Sequence, residues 1–268
     1  MDIDGQRVWI TGASSGIGAA LAVACSKAGA QVVLSARRQT ELEQVAAQCG
    51  DRADIQLLDV ADPESIQAAV DAVQQRHGGV DVLINNAGIT QRSTAVQTDM
   101  AVYRRLLEVN LFGTIALTSA VLPGMLSRGA GQIVAVASVA GKVGVPLRTG
   151  YCAAKHAVVG YCDALRAEVQ DQGVGVLVVC PGFVNTPLSF AALQGDGKAH
   201  GAMDSELASG IAPEAVATRT LRAIERGEHE ILVGGKEILG VHLKRLSPRL
   251  PNRVTRRIAR DPALIHSR

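Results

Sequence analysis

The chain has 268 residues, enough for one large domain with a substantial core, and its 47% hydrophobic and 19% charged residues exclude a disordered protein. The formal net charge of +2 is too small to indicate nucleic-acid binding by itself. Aromatic residues make up only 3%, and the abundance of small aliphatic residues favours closely packed helices on buried parallel strands over an antiparallel sandwich.

Seven short runs rich in Val, Ile and Leu predict strands, and the amphipathic segments between them predict helices. In chain order the strands are expected at 7–11, 31–35, 55–58, 80–84, 132–137, 174–180 and 230–233. The helices are expected near 17–28, 40–49, 63–77, 99–127, 151–171 and 213–225. This alternation predicts an α/β fold, a Rossmann-type, doubly wound parallel sheet of about seven strands with helices on both faces.

The cysteines and the amino terminus indicate the compartment. Five cysteines with no CxxC pair argue against a disulfide framework and for a reducing interior. The amino-terminal stretch lacks the pattern of a signal peptide, and no apolar run approaches the roughly 20 residues that cross a bilayer. We expect a cytoplasmic protein with one catalytic domain at 1–235 and a basic amphipathic extension at 236–268.

A glycine-rich turn, TGASSGIG at residues 11–18, joins the first predicted strand to the first helix. Glycines in this context let the backbone bind a pyrophosphate at the amino end of the helix. Gly12 permits the tight turn, and Gly16 and Gly18 permit close backbone approach. The sequence predicts a dinucleotide site here, with a purely structural turn as the alternative. The expected cofactor contacts in this turn are Gly12, Ser14, Ser15, Gly16, Ile17 and Gly18.

The end of the second strand predicts which dinucleotide binds. Folds that prefer NAD place an acidic residue there for the ribose 2′-hydroxyl, whereas this chain has Arg37 and Arg38. Guanidinium groups can bind a 2′-phosphate through charge-assisted hydrogen bonds. We therefore expect NADP(H), with two solvated arginines at the start of a helix as the alternative.

Polar residues also follow the third and fourth strands. Asp59, which precedes Val60 in LLDV, can accept a hydrogen bond from the adenine amino group, and a helix-capping role is the alternative. The fourth strand ends in NNAG, whose amides can tie neighbouring strands together. We expect Val60, Asn86, Ala87 and Gly88 to join Asp59 in the cofactor site.

Tyr151 and Lys155 lie four residues apart in TGYCAAKHA, which places them on one face of a helix. Hydride transfer to a carbonyl leaves a negative oxygen that needs a proton, and a free phenol, with a pKa of about 10, is a poor base near neutrality. A nearby ammonium stabilises phenolate and lowers that pKa. Ser138, after the fifth strand, can polarise the carbonyl. We interpret Cys152 as an apolar filler and His156 as a packing or surface residue.

These motifs resemble, in order and approximate spacing, the classical short-chain dehydrogenase/reductase family over residues 5–235. The resemblance rests on TGASSGIG, Asp59, NNAG, Asn110, Ser138, Tyr151-x-x-x-Lys155 and PGFVNTP at 181–187. It implies that Tyr151 is the acid/base, that Lys155 also binds the nicotinamide ribose and that Ser138 stabilises the reacting oxygen. Asn110 would hold a proton-relay water.

The resemblance implies two further features. The nicotinamide end of the cofactor would be contacted by Pro181, Gly182, Val184 and Thr186. Members of the family commonly form dimers or tetramers through two long helices, which here correspond to 99–127 and 151–171, so we expect a homodimer or homotetramer.

The long connection at 183–212 is interpreted as a substrate lid, because routine connections are much shorter. It contains the apolar Phe183, Leu188, Phe190 and Leu193, and VGVPLR at 143–148 adds aliphatic surface beside Tyr151. An apolar ketone, aldehyde or alcohol is the expected substrate, unless these side chains only pack the lid.

The carboxyl-terminal residues 235–268 carry nine Lys or Arg against two acids. A branch of the family that is similar here handles lipids or steroids and includes membrane-associated members. The tail is interpreted either as an amphipathic helix pair on an anionic membrane or as an oligomer contact or cover over the lid. Nucleic-acid binding is not expected, because its motifs are missing.

The sequence therefore predicts an NADP(H)-dependent oxidoreductase that interconverts a carbonyl and an alcohol on an apolar substrate, with no metal required. The alternative is a non-enzymatic NADP(H)-binding regulatory or interaction protein on the same scaffold. Degenerate catalytic positions would favour that alternative, but Ser138, Tyr151 and Lys155 are all present.

Overall fold

A computed structural model of the protein describes residues 1–247 and Arg249. Its strands form one parallel sheet in the order β3-β2-β1-β4-β5-β6-β7. The strands are β1 (Arg7–Thr11), β2 (Gln31–Ala36), β3 (Ala53–Leu57), β4 (Val82–Asn85), β5 (Gly131–Val136), β6 (Val174–Pro181) and β7 (Glu230–Val233). The predicted Rossmann-type sheet of seven strands is confirmed.

Helices connect the strands at the expected places. They are α1 (Gly16–Lys27), α2 (Gln39–Cys49), α3 (Pro63–His77), α4 (Met100–Leu107), α5 (Gly113–Arg128), α6 (Thr149–Val169), α7 (Ser205–Ala208), α8 (Pro213–Glu225) and α9 (Ile238–Leu246). A π turn, Glu108–Phe112, joins α4 to α5. The predicted helix at 99–127 is therefore two α-helices joined by a wider turn.

The sheet is covered on both faces, because successive residues of a strand point to opposite sides. In β1, Val8 and Ile10 belong to the core beneath α1, α2 and α8. Trp9, between them, belongs to the core beneath α3, α5 and α6, where its indole N–H donates to the Ser35 hydroxyl at 2.8 Å. The chain runs outward from β1 in both directions, so a crevice opens at the carboxyl ends of β1 and β4.

The helical stretch Met100–Arg128 is long and apolar. Its most apolar 18 residues have a mean hydropathy of 1.6, and 39% of that window is buried. By length and composition alone it is able to cross a membrane, contrary to the sequence-based expectation. One face of the stretch nevertheless packs on the sheet through Leu117 and Met125, which are fully buried.

The 183–212 segment leaves the carboxyl end of β6 and returns through α7 to α8. Leu193 bridges to Gln91, and Val184 bridges to Ile211. After β7, α9 packs through Val241 against Val139 and Val143, in the loop that follows β5. The rest of the predicted basic extension, residues 248 and 250–268, lies outside the described residues.

Candidate active site

A cavity of about 770 Å³ runs along the carboxyl edge of the sheet, from the end of β2 to the start of α6. The predicted site residues that line it are Gly12, Ser14, Ser15, Gly16, Ile17, Arg37, Arg38, Asp59, Val60, Asn86, Ala87, Gly88, Asn110, Ser138, Tyr151, Lys155, Pro181, Gly182, Val184 and Thr186. Residues that are far apart in the sequence thus share one cavity, with Gly18 the exception among the predicted set.

The turn after β1 is held against the end of β4. Gly12 has φ of 65°, and a Cβ on it would lie 2.8 Å from the Cα of Ala87, so the close approach requires glycine. Asn86 donates its side-chain amide to the Thr11 carbonyl at 3.0 Å, and the Thr11 hydroxyl accepts from the Asn86 N–H at 3.0 Å. The predicted tie between neighbouring strands is present.

Gly18 permits a close backbone approach, as the sequence predicts, while its predicted contact with the cofactor stays a prediction. It lies outside the cavity lining, and a Cβ on it would be 2.2 Å from the Gly12 carbonyl oxygen. The residue is therefore needed for α1 to pack closely on the turn, which is a common use of the last glycine in such motifs.

Arg38 reaches back from the end of β2 over the glycine turn. Its guanidinium donates to the hydroxyls of Ser14, at 2.9 Å, and Ser15, at 3.1 Å, and lies 3.1 Å from the Glu41 carboxylate. Arg37 is beside it, and its side chain is 62% exposed. The Arg37 guanidinium lies 4.0 Å from the Asp59 carboxylate. Arg38 and the two hydroxyls thus form a donor set that suits a phosphate group, and Arg37 lines the same end of the cavity.

Asp59 lies on the wall of the same end. Its Oδ1 accepts from the Ala61 N–H at 3.0 Å, and its Oδ2 is 3.8 Å from the Arg105 guanidinium. The alternative role of helix capping belongs to Asp62, which accepts from the Glu64 N–H at the start of α3.

Tyr151 and Lys155 are both buried on one face of α6, as their spacing predicts. The Lys155 ammonium donates to the Val136 carbonyl at 2.8 Å and lies 5.9 Å from the centroid of the Tyr151 ring. Burial lowers the pKa of Lys155 to about 8.

The pKa of Tyr151 differs from the sequence-based expectation. Burial raises it above the usual value of tyrosine, and this outweighs the charge of Arg148 and the hydrogen bond with Ser138, both of which lower it. The cation whose charge lowers this pKa is Arg148, whereas the sequence pointed to Lys155. The prediction was wrong here because it considered neighbours on the helix and could not include burial.

Ser138 and Asn110 complete the centre from two other elements. The Ser138 hydroxyl donates to the Pro181 carbonyl at 3.3 Å and accepts from the Ala140 N–H. Asn110 lies in the π turn, and its amide donates to the carbonyls of Ile89 and Leu106, both at 2.9 Å. A Cβ on Gly88 would lie 2.7 Å from the Asn110 oxygen and 3.6 Å from the Lys155 ammonium, so both polar groups lie beside Gly88.

The turn at Pro181–Gly182 forms the opposite wall. The Glu237 carboxylate accepts from the Phe183 N–H at 3.0 Å and the Gly235 N–H at 2.9 Å, and a Cβ on Gly182 would collide with it. The Thr186 methyl would be 3.0 Å from a Cβ on Gly16, so Thr186 lies against the glycine-rich turn.

Cys152 and His156 are residues of reactive types that lie close to Tyr151 in the sequence, and each makes contacts of its own. Cys152 is buried, which raises the pKa of its thiol, and its sulfur accepts from the Val145 N–H at 3.3 Å. The His156 ring is exposed and lies 2.8 Å from the Cys152 carbonyl oxygen. Both interpretations from the sequence agree with these positions.

Several cavity residues were missed by the sequence analysis. They include Ile89, Leu207, Glu237, Leu239 and Leu243, and Arg148 was included only as part of the aliphatic VGVPLR segment. The i, i+4 spacing of Leu239 and Leu243 is a signal that was available, because it places both on one face of α9. Arg148 and Glu237 have no comparable signal, since their partners are distant in the sequence.

Comparison with known proteins gives a consistent result. The sequence matches the family described as short chain dehydrogenase over residues 6–195. It is 44% identical to the dehydrogenase/reductase SDR family protein 7-like of Anopheles gambiae, with 86% of this chain and 75% of that protein covered. It is 38% identical to the dehydrogenase/reductase SDR family member 7B of Danio rerio, with 94% and 85% covered.

Solved structures have the same fold. A short-chain dehydrogenase from Streptomyces avermitilis superposes with a TM-score of 0.83 at 31% identity, over 96% of this chain and 98% of that one. A short chain dehydrogenase/reductase from Burkholderia phymatum, in complex with NAD, gives 0.83 at 27%, over 93% and 96%. A gluconate 5-dehydrogenase from Burkholderia cenocepacia, in complex with NADP and tartrate, gives 0.76 at 26%, over 88% and 96%. The fold, the glycine turn at its crevice and these similarities together establish that the chain belongs to the short-chain dehydrogenase/reductase family of oxidoreductases.

Proposed function

We propose that the protein is an NADP(H)-dependent oxidoreductase that interconverts a carbonyl and an alcohol on an apolar substrate, with Tyr151 as the acid/base. The observation that carries this proposal is a single cavity that joins the Arg38, Ser14 and Ser15 cluster to Ser138, Tyr151 and Lys155. A dinucleotide can lie along it with its phosphates at the amino end of α1 and its nicotinamide near the phenol.

The choice of NADP(H) rests on residues of this chain. The related solved structures hold NAD in one case and NADP in another. Here the end of β2 supplies two guanidinium groups, and Arg38 already meets the hydroxyls of Ser14 and Ser15. These donors would bind a ribose 2′-phosphate, which a carboxylate at the same position would repel.

The residues of the centre have distinct roles in this proposal. When bound, the nicotinamide supplies or accepts the hydride. Tyr151 donates a proton to the carbonyl oxygen in reduction and accepts it in the reverse direction, while Ser138 orients that oxygen by hydrogen bonding. Lys155, whose ammonium lies 5.9 Å from the centroid of the Tyr151 ring, orients the nicotinamide ribose. Asn110, which lies beside Gly88 as the Lys155 ammonium does, holds a water that returns the proton from solvent.

The proposed substrate is apolar because the cavity wall beyond Tyr151 is aliphatic. This wall is formed by Val143, Val145, Leu188, Ala191, Leu207, Leu239 and Leu243. In the proposed domain organisation the catalytic unit is 1–235, the 183–212 segment is the lid over the substrate, and the extension from 236 begins at the mouth of the cavity. Reduction is the proposed physiological direction, on the basis of the NADP(H) preference.

The proposal is tested by NADPH consumption with a panel of hydrophobic carbonyls. The panel contains a steroid ketone, a retinal and a long-chain ketone, and 5-ketogluconate, a polar ketone, serves as the control. Turnover of at least one apolar carbonyl, with a lower kcat/KM for NADH than for NADPH, is expected. NADPH binding without turnover of any carbonyl would instead favour the non-enzymatic regulator.

We also propose a cytoplasmic homodimer or homotetramer. On the stretch Met100–Arg128, Met100 and Phe112 are exposed although they are large and apolar. A second copy of the chain would bury such side chains. Sedimentation equilibrium distinguishes a monomer from these assemblies.

Peripheral membrane contact is proposed for the extension. Leu246 at the end of α9 is 82% exposed, and Lys244, Arg245 and Arg249 are close to it in the sequence. The protein is expected to float with vesicles that contain phosphatidylserine, less so at high salt, and Leu246→Asp is expected to reduce this flotation. Val96→Asp, at an apolar site that is 98% exposed elsewhere, is the control. Equal recovery of both variants with the vesicles would contradict the contact.

A further inference from the structure

An ion-pair cluster lies between the 183–212 segment and the start of the catalytic helix. Asp204 uses both carboxylate oxygens: Oδ1 accepts from Arg92 and Oδ2 from Arg148, each at 2.5 Å. The exposed fractions of the three side chains are 6% for Asp204, 13% for Arg148 and 17% for Arg92. Charges so poorly hydrated are costly to separate, so the cluster holds its elements firmly.

The cluster reaches the catalytic helix through Arg148. This residue is the N-cap of α6 and lies three positions before Tyr151. The preceding residue, Leu147, has φ of 64°, a conformation that is strained for a leucine and persists only where the surroundings enforce it. The Leu147 carbonyl accepts from the Ser93 N–H at 3.0 Å.

The segment 90–93 joins both sides of the cluster. Toward the 183–212 segment, the Thr90 carbonyl accepts from the Leu193 N–H at 2.9 Å, and the Arg92 N–H donates to the Leu193 carbonyl at 2.8 Å. Toward α6, the buried Gln91 side chain accepts from the Gly150 N–H at 2.8 Å. The 183–212 segment and the first turn of α6 are therefore fastened to the same short strip of backbone.

We propose that Asp204 is a latch that seats the 183–212 lid on the start of the catalytic helix, and that Arg148 is a positioning residue which links the seated lid to Tyr151. This inference rests on the proposed acid/base role of Tyr151. The established family membership assigns no role to either residue.

The electrostatic environment of Tyr151 supports the link. The charge of Arg148 lowers the pKa of the Tyr151 phenol, against the effect of burial, which raises it. The other groups that face Tyr151 are Ser138 after β5, Cys152 and Lys155 of α6, and Cys180 of β6. Arg92 shares the carboxylate with Arg148 but has no comparable effect on the phenol. Replacing Arg92 therefore tests the contact with Asp204 alone, whereas replacing Arg148 tests both that contact and the positive charge near Tyr151.

The latch is tested by hydrogen exchange of the full chain with saturating NADPH. Asp204→Asn removes the charge while keeping the shape, and should speed exchange by about tenfold or more in peptides from 183–212 and 147–153, because charged hydrogen bonds are lost. Asp196→Asn, in the same segment but paired only with the exposed Lys198, is the matched control and should exchange as the wild type does. Unchanged exchange at 147–153 in the Asp204 variant would overturn the latch. If Asp204→Asn does not fold, Arg92→Lys is used in its place. It keeps the charge but weakens the contact with Asp204, so it should speed exchange in the same peptides by a smaller factor.

The positioning role is tested by the pH profile of kcat/KM for reduction of 9,10-phenanthrenequinone by NADPH. Arg92→Gln and Arg148→Gln should both lower kcat/KM by loosening the lid. In Arg148→Gln alone, the alkaline limb should move to higher pH, because the phenol loses a stabilising charge. Identical profiles for the two variants would overturn the link to Tyr151. If the wild type reduces neither this quinone nor the carbonyl panel, the proposed function fails, while the exchange measurement still decides the latch.

Discussion

Replacing Tyr151 by phenylalanine is expected to lower kcat for carbonyl reduction by about 10² to 10⁴, the range that general acid catalysis contributes. The substitution removes only the hydroxyl, so the aromatic ring continues to fill its buried site on α6. Affinity for NADPH, measured by quenching of protein fluorescence, should remain that of the wild type. A loss of turnover without a loss of cofactor binding would separate the chemistry from the fold.

Tyr161→Phe is the matched control for this prediction. Tyr161 lies on the same helix, is half-buried beside Thr118 and Ser119, and does not line the cavity. Its variant should retain wild-type kcat. Turnover by Tyr151→Phe at the wild-type rate would contradict the acid/base assignment, and equal losses in both variants would indicate damage to α6.

Replacing Arg38 by leucine is expected to lower kcat/KM with NADPH by about 10- to 100-fold, because charge-assisted hydrogen bonds contribute about 1.5–3 kcal/mol. The value with NADH should change little, since its ribose carries no phosphate for the guanidinium to bind. The kcat/KM of Arg38→Lys with NADPH should fall between the values of the wild type and of Arg38→Leu, because an ammonium keeps the charge but lacks the planar fork of a guanidinium. Initial rates with each cofactor, at fixed ionic strength, measure the ratio of kcat/KM with NADPH to kcat/KM with NADH.

The control for the cofactor prediction is Arg52→Leu. Arg52 is an exposed cation after the opposite end of α2, so its loss tests whether any positive charge near this helix affects the ratio. The ratio should stay constant in this variant. An equal loss with both cofactors in Arg38→Leu would mean that the residue only supports the glycine turn through Ser14 and Ser15.

The elements of the fold could be predicted because their signals are local. Continuous apolar runs mark buried strands, and the spacing of Tyr151 and Lys155 depends on helix geometry alone. The bounds of β3 were less accurate, since the strand begins at Ala53 and pairs with β2 from Val32 onward. Pairing with a neighbour, and not the apolar run itself, determines where that edge strand starts.

What the sequence missed depends on contacts between distant segments. Asp204 meets Arg148 across 56 positions, and Glu237 meets the Phe183 N–H across 54. No window of the sequence contains both partners, so neither pair has a pattern of its own. The pKa of Tyr151 was misjudged for the same reason: burial comes from the whole fold, whereas the sequence offered only the neighbouring lysine.

The π turn at Glu108–Phe112 gives a use to one additional residue. It accommodates one residue more than an α-helical turn would, and it absorbs that residue within the turn. Removing one residue there, such as Leu111, would restore a regular helix and leave the same face of α5 toward the sheet. Leu117 would then stay in the core, and Thr118 would keep the amide of Asn85 that it now binds at 3.0 Å, but Asn110 would lose its present contacts with the carbonyls of Ile89 and Leu106. The additional residue therefore serves the placement of Asn110 and not the packing of α5.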